Sequence, residues 1–286
     1  MKAPRFAYAR PASIAEALAL LAEHKDEARV LAGGQSLVPM LNFRVAAPKV
    51  LVDINRIAGL AGIQVTKDHL RIGALTRHAE LERSTEIARH LPLVAAAMPH
   101  IAHPAIRNRG TFGGSCALAD PAAELPACAV ALGASFVVAG KKTERRIAAQ
   151  DFFKGLYATA LKGGELLVAA EFPLPKPGHV SAFGELVRRH GDYAMVGPAV
   201  RGSIQGKKFF DMRVVFFGVG DRPTRAPQFE RALQGQLAAP KTVESVLAKL
   251  DADLEPRADL HASAATKRHL AKVLAARVLK QMADQL

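Results

Sequence analysis

Leu31-Ala-Gly-Gly-Gln-Ser-Leu37 and Arg107-Asn-Arg-Gly-Thr-Phe-Gly-Gly-Ser115, the second running on into Asp120-Pro-Ala-Ala-Glu-Leu-Pro126, are the stretches whose chemistry goes beyond a folded core. Each sets paired glycines beside a small hydroxyl residue. Glycine removes the side chain where backbone N–H groups must approach an anion, and successive N–H groups in a turn form a concave donor surface. A pyrophosphate is the natural anion for such a surface. No G-x-G-x-x-G opens a helix after a strand and no G-x-x-x-x-G-K-[ST] occurs, which argues against a Rossmann domain or a P-loop.

Outward from the first turn, residues 29–32 read as a strand entering it and 49–54 as a second buried strand. Ser13-Ile-Ala-Glu16 is a capping box, after which Ile14, Ala17, Leu18 and Leu21 share one helical face, with the helix ending near 24–26. Together these predict a small α/β unit. From Gly62 the pattern changes to a hairpin of strands 63–66 and 69–72 about Lys67-Asp68, then helices over 76–82 and 91–102. After the second turn, Asp120 as N-cap and Pro121 at the first helical position predict a helix over 121–132 stopped by Gly133. Strands are expected at 135–139, 145–148 and 166–172. Pro173-Leu-Pro-Lys-Pro-Gly178 defeats both helix and internal sheet pairing and is expected to be a linker between domains. Beyond it lie strand patterns at 182–189, 194–204 and 209–219 and helical patterns at 227–233, 242–250 and 262–283.

A chain of 286 residues, half of them hydrophobic, has material for about two domains. The most apolar stretch, 127–139, is shorter than the ~20 residues that cross a bilayer, and the amino terminus lacks the apolar core of a signal peptide, so a cytoplasmic location is expected. Two cysteines, Cys116 and Cys128, make neither a disulfide framework nor a set of ligands for an iron–sulfur cluster. His100-Ile-Ala-His103 places two imidazoles one helical turn apart with no third ligand nearby; a solvated helix end is the better reading. The net charge of +13 and pI near 10.0 would suit nucleic acid, yet the basic residues are scattered, aromatics are 6% and tryptophan is absent, so no nucleic acid is expected. An acidic partner subunit or the phosphates of a cofactor would use that charge equally well.

The chain resembles the FAD-binding medium subunits of molybdenum hydroxylases, the carbon monoxide dehydrogenase medium subunit and xanthine dehydrogenase FAD-domain family. The resemblance rests on the two turns, Val52-Asp-Ile54, Arg71-Ile-Gly-Ala-Leu-Thr76, Ile106-Arg-Asn-Arg-Gly-Thr111, Arg188-Arg-His-Gly-Asp-Tyr193 and His261-Ala-Ser-Ala264, and so covers nearly the whole chain. It implies an α+β fold: a two-part FAD-binding domain of the vanillyl-alcohol-oxidase-like (PCMH) type over 1–175, with subdomains of about 1–57 and 58–175, then a smaller C-terminal α+β domain over 178–286 with an antiparallel sheet and helices. It also implies an electron-transfer subunit that accepts electrons from the [2Fe-2S] clusters of a small partner and passes them to an external acceptor. Molybdopterin would sit on a large partner, and the assembly would be a dimer of heterotrimers.

By the same resemblance the first turn, Ala32, Gly33, Gly34, Gln35 and Ser36 with Leu37 following, wraps the FAD pyrophosphate. Gln35 stands where related covalent flavoproteins carry histidine, so FAD is expected to be dissociable. Thr111, Gly113, Gly114 and Ser115 form the second dinucleotide loop, with Phe112 as an apolar anchor where isoleucine is usual. Glu124 matches the acidic position that bonds ribityl or ribose hydroxyls as an ionised acceptor, against a plain reading as a first-turn helix carboxylate. Leu167 and Tyr193 match positions bordering the flavin, and a core strand residue and a core aromatic would look the same. Arg107, Asn108 and Arg109 brace the loop or neutralise phosphate, with bracing favoured for Asn108. Several relatives carry a lysine where this chain reads Gly184-Glu185-Leu186, which leaves the flavin potential open. No catalytic acid or base and no metal ligand is expected on this chain. A self-contained flavin oxidase or reductase, and a basic nucleic-acid-binding or scaffold protein, are the alternative readings.

Overall fold

The computed structural model describes residues 2–285, whose strands form three main sheets around one buried helix. The first sheet is parallel, with Val50–Asp53 between Ala7–Ala9 and Ala28–Leu31. Val50, Leu51 and Val52 are buried, as a central parallel strand covered on both faces requires. The helix Ile14–His24 lays Ala17, Leu18 and Leu21 on it. Ser13 caps that helix, its hydroxyl accepting from the Glu16 N–H at 3.2 Å, while Glu16 accepts in return from the Ala12 N–H at 2.9 Å. The strand Ala7–Ala9 has no hydrophobic pattern to announce it, since Ala7 and Tyr8 are exposed.

The second sheet is antiparallel, in the order Ile63–Val65, His69–Gly73, Leu166–Pro173, Ser135–Ala139, Glu144–Ala148. Both of its faces are covered. Val137, Leu166, Val168 and Ala169 pack against the parallel unit, and Phe136, Val138, Leu167, Ala170 and Phe172 pack into the largest core. The expected helix over 91–102 is Pro92–Ala97 followed by the 3-10 turn Met98–His100, because Pro99 offers no N–H to continue the ladder. A helix the pattern did not separate, Thr85–His90, is capped by Ser84.

The helix expected over 121–132 is Glu124–Leu132. Asp120 accepts from the Ala122 N–H at 2.9 Å and the Pro121 carbonyl accepts from the Gly218 N–H at 2.8 Å. Those bonds hold 121–123 in a turn, so Asp120 caps the turn and not the helix. The helix ends at Gly133, whose φ of +68° suits a left-handed stop. Its side chains are apolar on every side except Glu124, and it lies between the second and third sheets, which is why it has no polar face.

The third sheet is antiparallel: His179–Phe183, Gly197–Gln205, Lys208–Phe217 and Thr224–Arg225. Phe183, Ala199, Val215 and Phe217 join the core around Glu124–Leu132, while Val200, Val214 and Phe216 lie under the helices Pro227–Leu233 and Ala264–Ala283. The strand expected over 182–189 stops at Phe183. Residues 184–196 turn back toward the first half of the chain, passing Gly191 (φ +85°), where a Cβ would lie 2.8 Å from the Ala102 carbonyl oxygen. That excursion carries Glu185 and Tyr193. The architecture is α+β, a parallel α/β unit and a five-stranded antiparallel unit followed by a smaller antiparallel sheet with helices.

Candidate functional site

The two glycine turns touch. The first leaves Ala28–Leu31 at its carboxyl end, with Ala32 to Ser36 forming the turn, Gly34 at φ +71°, and Leu37 opening the helix Leu37–Asn42. Gly33 presses on the backbone of Arg109 and Gly110: a Cβ there would overlap the Arg109 carbonyl oxygen and lie 2.9 Å from the Gly110 Cα. Gln35 folds back, its amide donating to the Gly33 carbonyl at 3.1 Å. Among the described residues, the N–H groups of Gly33, Gly34, Gln35 and Ser36 donate to no group of the protein. A run of four free amides on a turn with no side chain at two positions is a donor surface for an anion.

The second turn is built differently. Thr111 is buried and caps the helix Phe112–Leu118, its hydroxyl accepting from the Gly114 N–H at 3.1 Å. The Phe112 N–H donates to Thr76, the Gly113 N–H to Ala74 and the Ser115 N–H to Thr111. Its amides are therefore used inside the protein, and its glycines serve packing instead: a Gly113 Cβ would lie 2.7 Å from the Ala74 Cα, and a Gly114 Cβ 3.8 Å from the Ala32 side chain. Phe112 is fully buried, edge-on to Phe172 at 5.9 Å, and anchors the loop as its apolar character implied. Arg107 is buried, donating to Glu82 at 2.9 Å and to the Ile101 carbonyl at 3.0 Å, which makes it a brace; the Asn108 and Arg109 side chains are exposed.

Two residues the motifs stopped just short of tie the turns together. Asn55 donates to the Ala32 carbonyl at 2.7 Å, and Arg77 donates to the Asn55 side chain at 2.7 Å and to the Arg109 carbonyl. Asp53 receives Asn55 on one oxygen and the Tyr8 hydroxyl on the other. The signal available was position: Asn55 follows a buried parallel strand and Arg77 a buried antiparallel one, each at the strand's carboxyl end. We predict that Arg77→Met, which keeps the stem and removes the donors, costs about 1–2 kcal/mol in urea unfolding. Because the first turn then loses its tie, dinucleotide affinity should also fall about tenfold, a loss of about 1.4 kcal/mol. Unchanged affinity in a fluorescence titration would show that the brace does not shape the turn.

Glu124 is buried at the start of its helix. Burial, with Glu185 and Asp120 facing it, pushes its carboxyl up to about 8. That shift favours the neutral acid near pH 7, whose carbonyl oxygen can still accept from a hydroxyl. Tyr193 is 65% exposed and so is not a core aromatic. Its phenol stands beside the Ser36 hydroxyl, with Asp120 and Glu124 nearby, so the 184–196 excursion meets the first turn. Tyr157 donates to Asp120 at 3.4 Å. Leu167 is buried in the large core beside a bulge in its strand, its side chain turned to other apolar groups. The structure thus gathers Ala32 to Leu37, Thr111 to Ser115, Glu124 and Tyr193 around one seam, while the Leu167 side chain is buried in the core. His100, 38% exposed at the end of its turn, bonds Glu185 at 3.2 Å, and His103 is exposed, as a solvated helix end would be. Among the described residues no three His, Cys, Asp or Glu side chains are grouped to hold a metal.

His78 lies under the second turn, where a Gly110 Cβ would come within 2.9 Å of its ring. Neither ring nitrogen makes a hydrogen bond of acceptable geometry, although the Thr111 backbone is adjacent. Burial, helped by Arg107 and Arg77, lowers its pKa from 6.5 to about 4. The folded state then refuses a proton that the unfolded chain accepts, so this contribution is complete above pH 6.5 and is lost as pH falls toward 4. The expected loss is about 3 kcal/mol over that interval, and His78→Leu should abolish it. Urea unfolding at a series of pH values checks this; parallel curves for the two proteins would refute it.

Residues 4–175 match the FAD binding domain in molybdopterin dehydrogenase, and residues 181–282 match the CO dehydrogenase flavoprotein C-terminal domain. The chain belongs to the FAD-binding subunits of the molybdenum hydroxylases. It is 40% identical over 281 residues to the 6-hydroxypseudooxynicotine dehydrogenase complex subunit alpha of Paenarthrobacter nicotinovorans, covering 98% of this chain and 95% of the relative. It is 37% identical over 287 residues to caffeine dehydrogenase subunit beta of a Pseudomonas species, strain CBB1, covering 100% and 97%. A chain of the carbon monoxide dehydrogenase from Hydrogenophaga pseudoflava that lacks the Mo-pyranopterin moiety superimposes with a TM-score of 0.96 at 37% identity, covering 100% of this chain and 99% of that one. As a molybdenum-hydroxylase FAD subunit, the chain is an oxidoreductase component with an electron-transfer role, and its cofactor is FAD. Among the described residues no helix is long and apolar enough to cross a membrane.

Proposed function

We propose that this chain is the medium subunit of a cytoplasmic heterotrimeric molybdenum hydroxylase, assembled as a dimer of heterotrimers. It accepts electrons from a small [2Fe-2S] subunit fed by a large molybdopterin subunit and passes them to an external acceptor. Residues 1–175 form the FAD-binding domain and 178–286 the C-terminal domain in this reading. The observation that carries it is the first turn, whose four free amides form a donor surface and whose Gly33 lets the turn close on the Arg109 and Gly110 backbone. That surface fits a pyrophosphate, so FAD is the group the residues suit. Exposed Val38, Phe43 and Val45 just beyond the turn suit burial against a partner subunit.

In this reading Ala32 to Ser36 grip the diphosphate, with Leu37 setting the helix behind them. Thr111, Gly113, Gly114 and Ser115 form the floor, Phe112 fixing it from within the core. Glu124 meets the sugar hydroxyls, Tyr193 closes over the seam from the C-terminal half, and Leu167 backs the site. When bound, FAD supplies the redox chemistry, taking electrons in pairs or singly, while the protein places it and excludes water. Gln35, occupied with the Gly33 carbonyl, offers no nucleophile, so the cofactor is held without a covalent bond. The test is reconstitution of the purified chain with FAD: one equivalent retained through desalting and released by acid is expected. Absence of flavin absorbance after saturation would overturn the reading.

A further inference from the structure

The proline-rich stretch after Phe172 walls a cavity of about 120 Å³ at the far end of the central helix from Glu124. Leu132, the last residue of that helix, lines it together with Leu174 of the linker and Val180 of the edge strand. Pro173 and Pro175 complete the apolar part of the wall. Proline carries no N–H, so the backbone offers no donor there.

The rest of the lining is polar, and Arg201, with a side chain 16% exposed, is its centre. Its Nε donates to the Ala131 carbonyl at 3.1 Å, and its Nη1 reaches Nδ1 of His179 at 3.3 Å and Asp211 at 3.4 Å. An arginine only donates, so Nδ1 of His179 is the unprotonated nitrogen and Nε2 turns its proton toward Asp211, 3.5 Å away. His179 is therefore neutral in this arrangement. His90, also at the cavity, is engaged by Glu86 at 3.3 Å. The permanent positive charge belongs to Arg201 and Lys176.

The acid present does not match those cations. Asp211 reaches Arg201 from a bulge in Lys208–Phe217, where it takes φ +49° and stays 56% exposed, and its contacts are long. Among the described residues, Lys176 makes no ion pair and no side-chain hydrogen bond, and the second Nη of Arg201 makes none. Arg213, opposite Arg201 in the ladder and pressed on Gly133, is likewise unpaired. Like charges directly opposite on a sheet repel, and an anion between cation and cavity relieves them.

We propose that this cavity binds a small organic monocarboxylate, its head on Arg201 and Lys176 and its hydrocarbon body against Leu132, Leu174 and Val180. The Ser181 hydroxyl, opposite Arg201 on the edge strand, stands beside the head. A phosphate would turn oxygens toward the proline wall, where no donor meets them, so a fully polar anion is disfavoured. Size limits the body to about three to five carbons, since a cavity of about 150 Å³ takes benzene. The site shares no residue with the flavin seam and is independent of the flavin reading.

The test is an NMR titration of the full chain, carbon-13 labelled at methyl groups, with sodium butyrate at constant ionic strength. The Leu132, Leu174 and Val180 methyls should shift together and saturate, with a midpoint on the order of a few millimolar for so small a ligand. n-Butanol, the same body without the charge, should bind at least about tenfold more weakly, and inorganic phosphate should leave these methyls unmoved. Lys176→Met should weaken butyrate at least about threefold, and Asp211→Asn, which removes the competing carboxylate, should tighten it about threefold. Both are exposed side chains, so the fold is kept. Leu174→Trp, which fills the cavity from the linker, should abolish the shifts of Leu132 and Val180. Shifts that stay linear with concentration, equal midpoints for butyrate and butanol or for butyrate and phosphate, or wild-type affinity in any of the three variants would each overturn the proposal.

Discussion

Gly33→Ala is expected to abolish flavin retention while leaving the chain folded. The added methyl would overlap the Arg109 carbonyl oxygen and sit 2.9 Å from the Gly110 Cα, and both obstacles are backbone. Backbone held by Arg77 and by the His78 N–H to Gly110 carbonyl bond has nowhere to retreat, so the first turn must move instead. Four donors that are useful only in register then lose their common target. Displacing two charge-assisted bonds at about 1.5–3 kcal/mol each predicts at least a hundredfold weaker binding. Gly163→Ala, with open space around it and no positive φ, is the control and should bind normally. A fluorescence titration of both variants against wild type, with circular dichroism to verify folding, decides the matter. Wild-type affinity in Gly33→Ala would mean that the turn is not the diphosphate site.

The second large effect concerns Glu124 and stability. Its carboxyl is raised from 4.5 to about 8, so between those values the folded chain binds a proton that the unfolded chain lacks. Where the folded state holds more protons, stability falls as pH rises. The FAD-free chain should therefore lose on the order of 4 kcal/mol from this group between about pH 5 and about pH 8, and little more above that. Glu124→Gln keeps the shape and removes the titration. It should flatten the profile and leave the FAD-free protein more stable than wild type at alkaline pH by on the order of 3 kcal/mol, while its amide oxygen still accepts from a sugar hydroxyl, so FAD affinity near neutral pH should change less than about threefold. Thermal or urea unfolding at several pH values reads the first effect, and flavin titration the second. A Glu124→Gln protein with an unchanged pH profile would show that the acid is ionised in the folded state.

Much of the scaffold was legible because it depends on local chemistry. The Ser13 cap, the Lys67-Asp68 hairpin and the Gly133 stop each require only neighbours within a few residues, and each formed as its residues indicate. The expectations that failed involved partners far along the chain. Asp120 and Pro121 carry every mark of a helix start, but Gly218 takes the Pro121 carbonyl and delays the helix to Glu124. The strand pattern past Ala182 continues in composition, yet the chain leaves the sheet after Phe183 and passes Gly191 close against Ala102 and His103. Similarly, the two glycine pairs look alike as sequence. One exposes its amides and the other spends them within a helix cap, a distinction made by Thr76 and Ala74 from a different strand end.

Sequence alone determined the order of elements, the apolar faces and the pairing of two glycine turns with an acid after the second, since those follow from spacing and side-chain type. Only the tertiary structure decided that Gly33 meets Arg109, that Asn55 and Arg77 bind the turns together, and that Glu185 from the C-terminal half bonds His100 of the first. The physical reason is that a carboxyl's charge and a turn's free donors are set by what surrounds them. Those surroundings are assembled here from three sheets that meet only once the chain has folded.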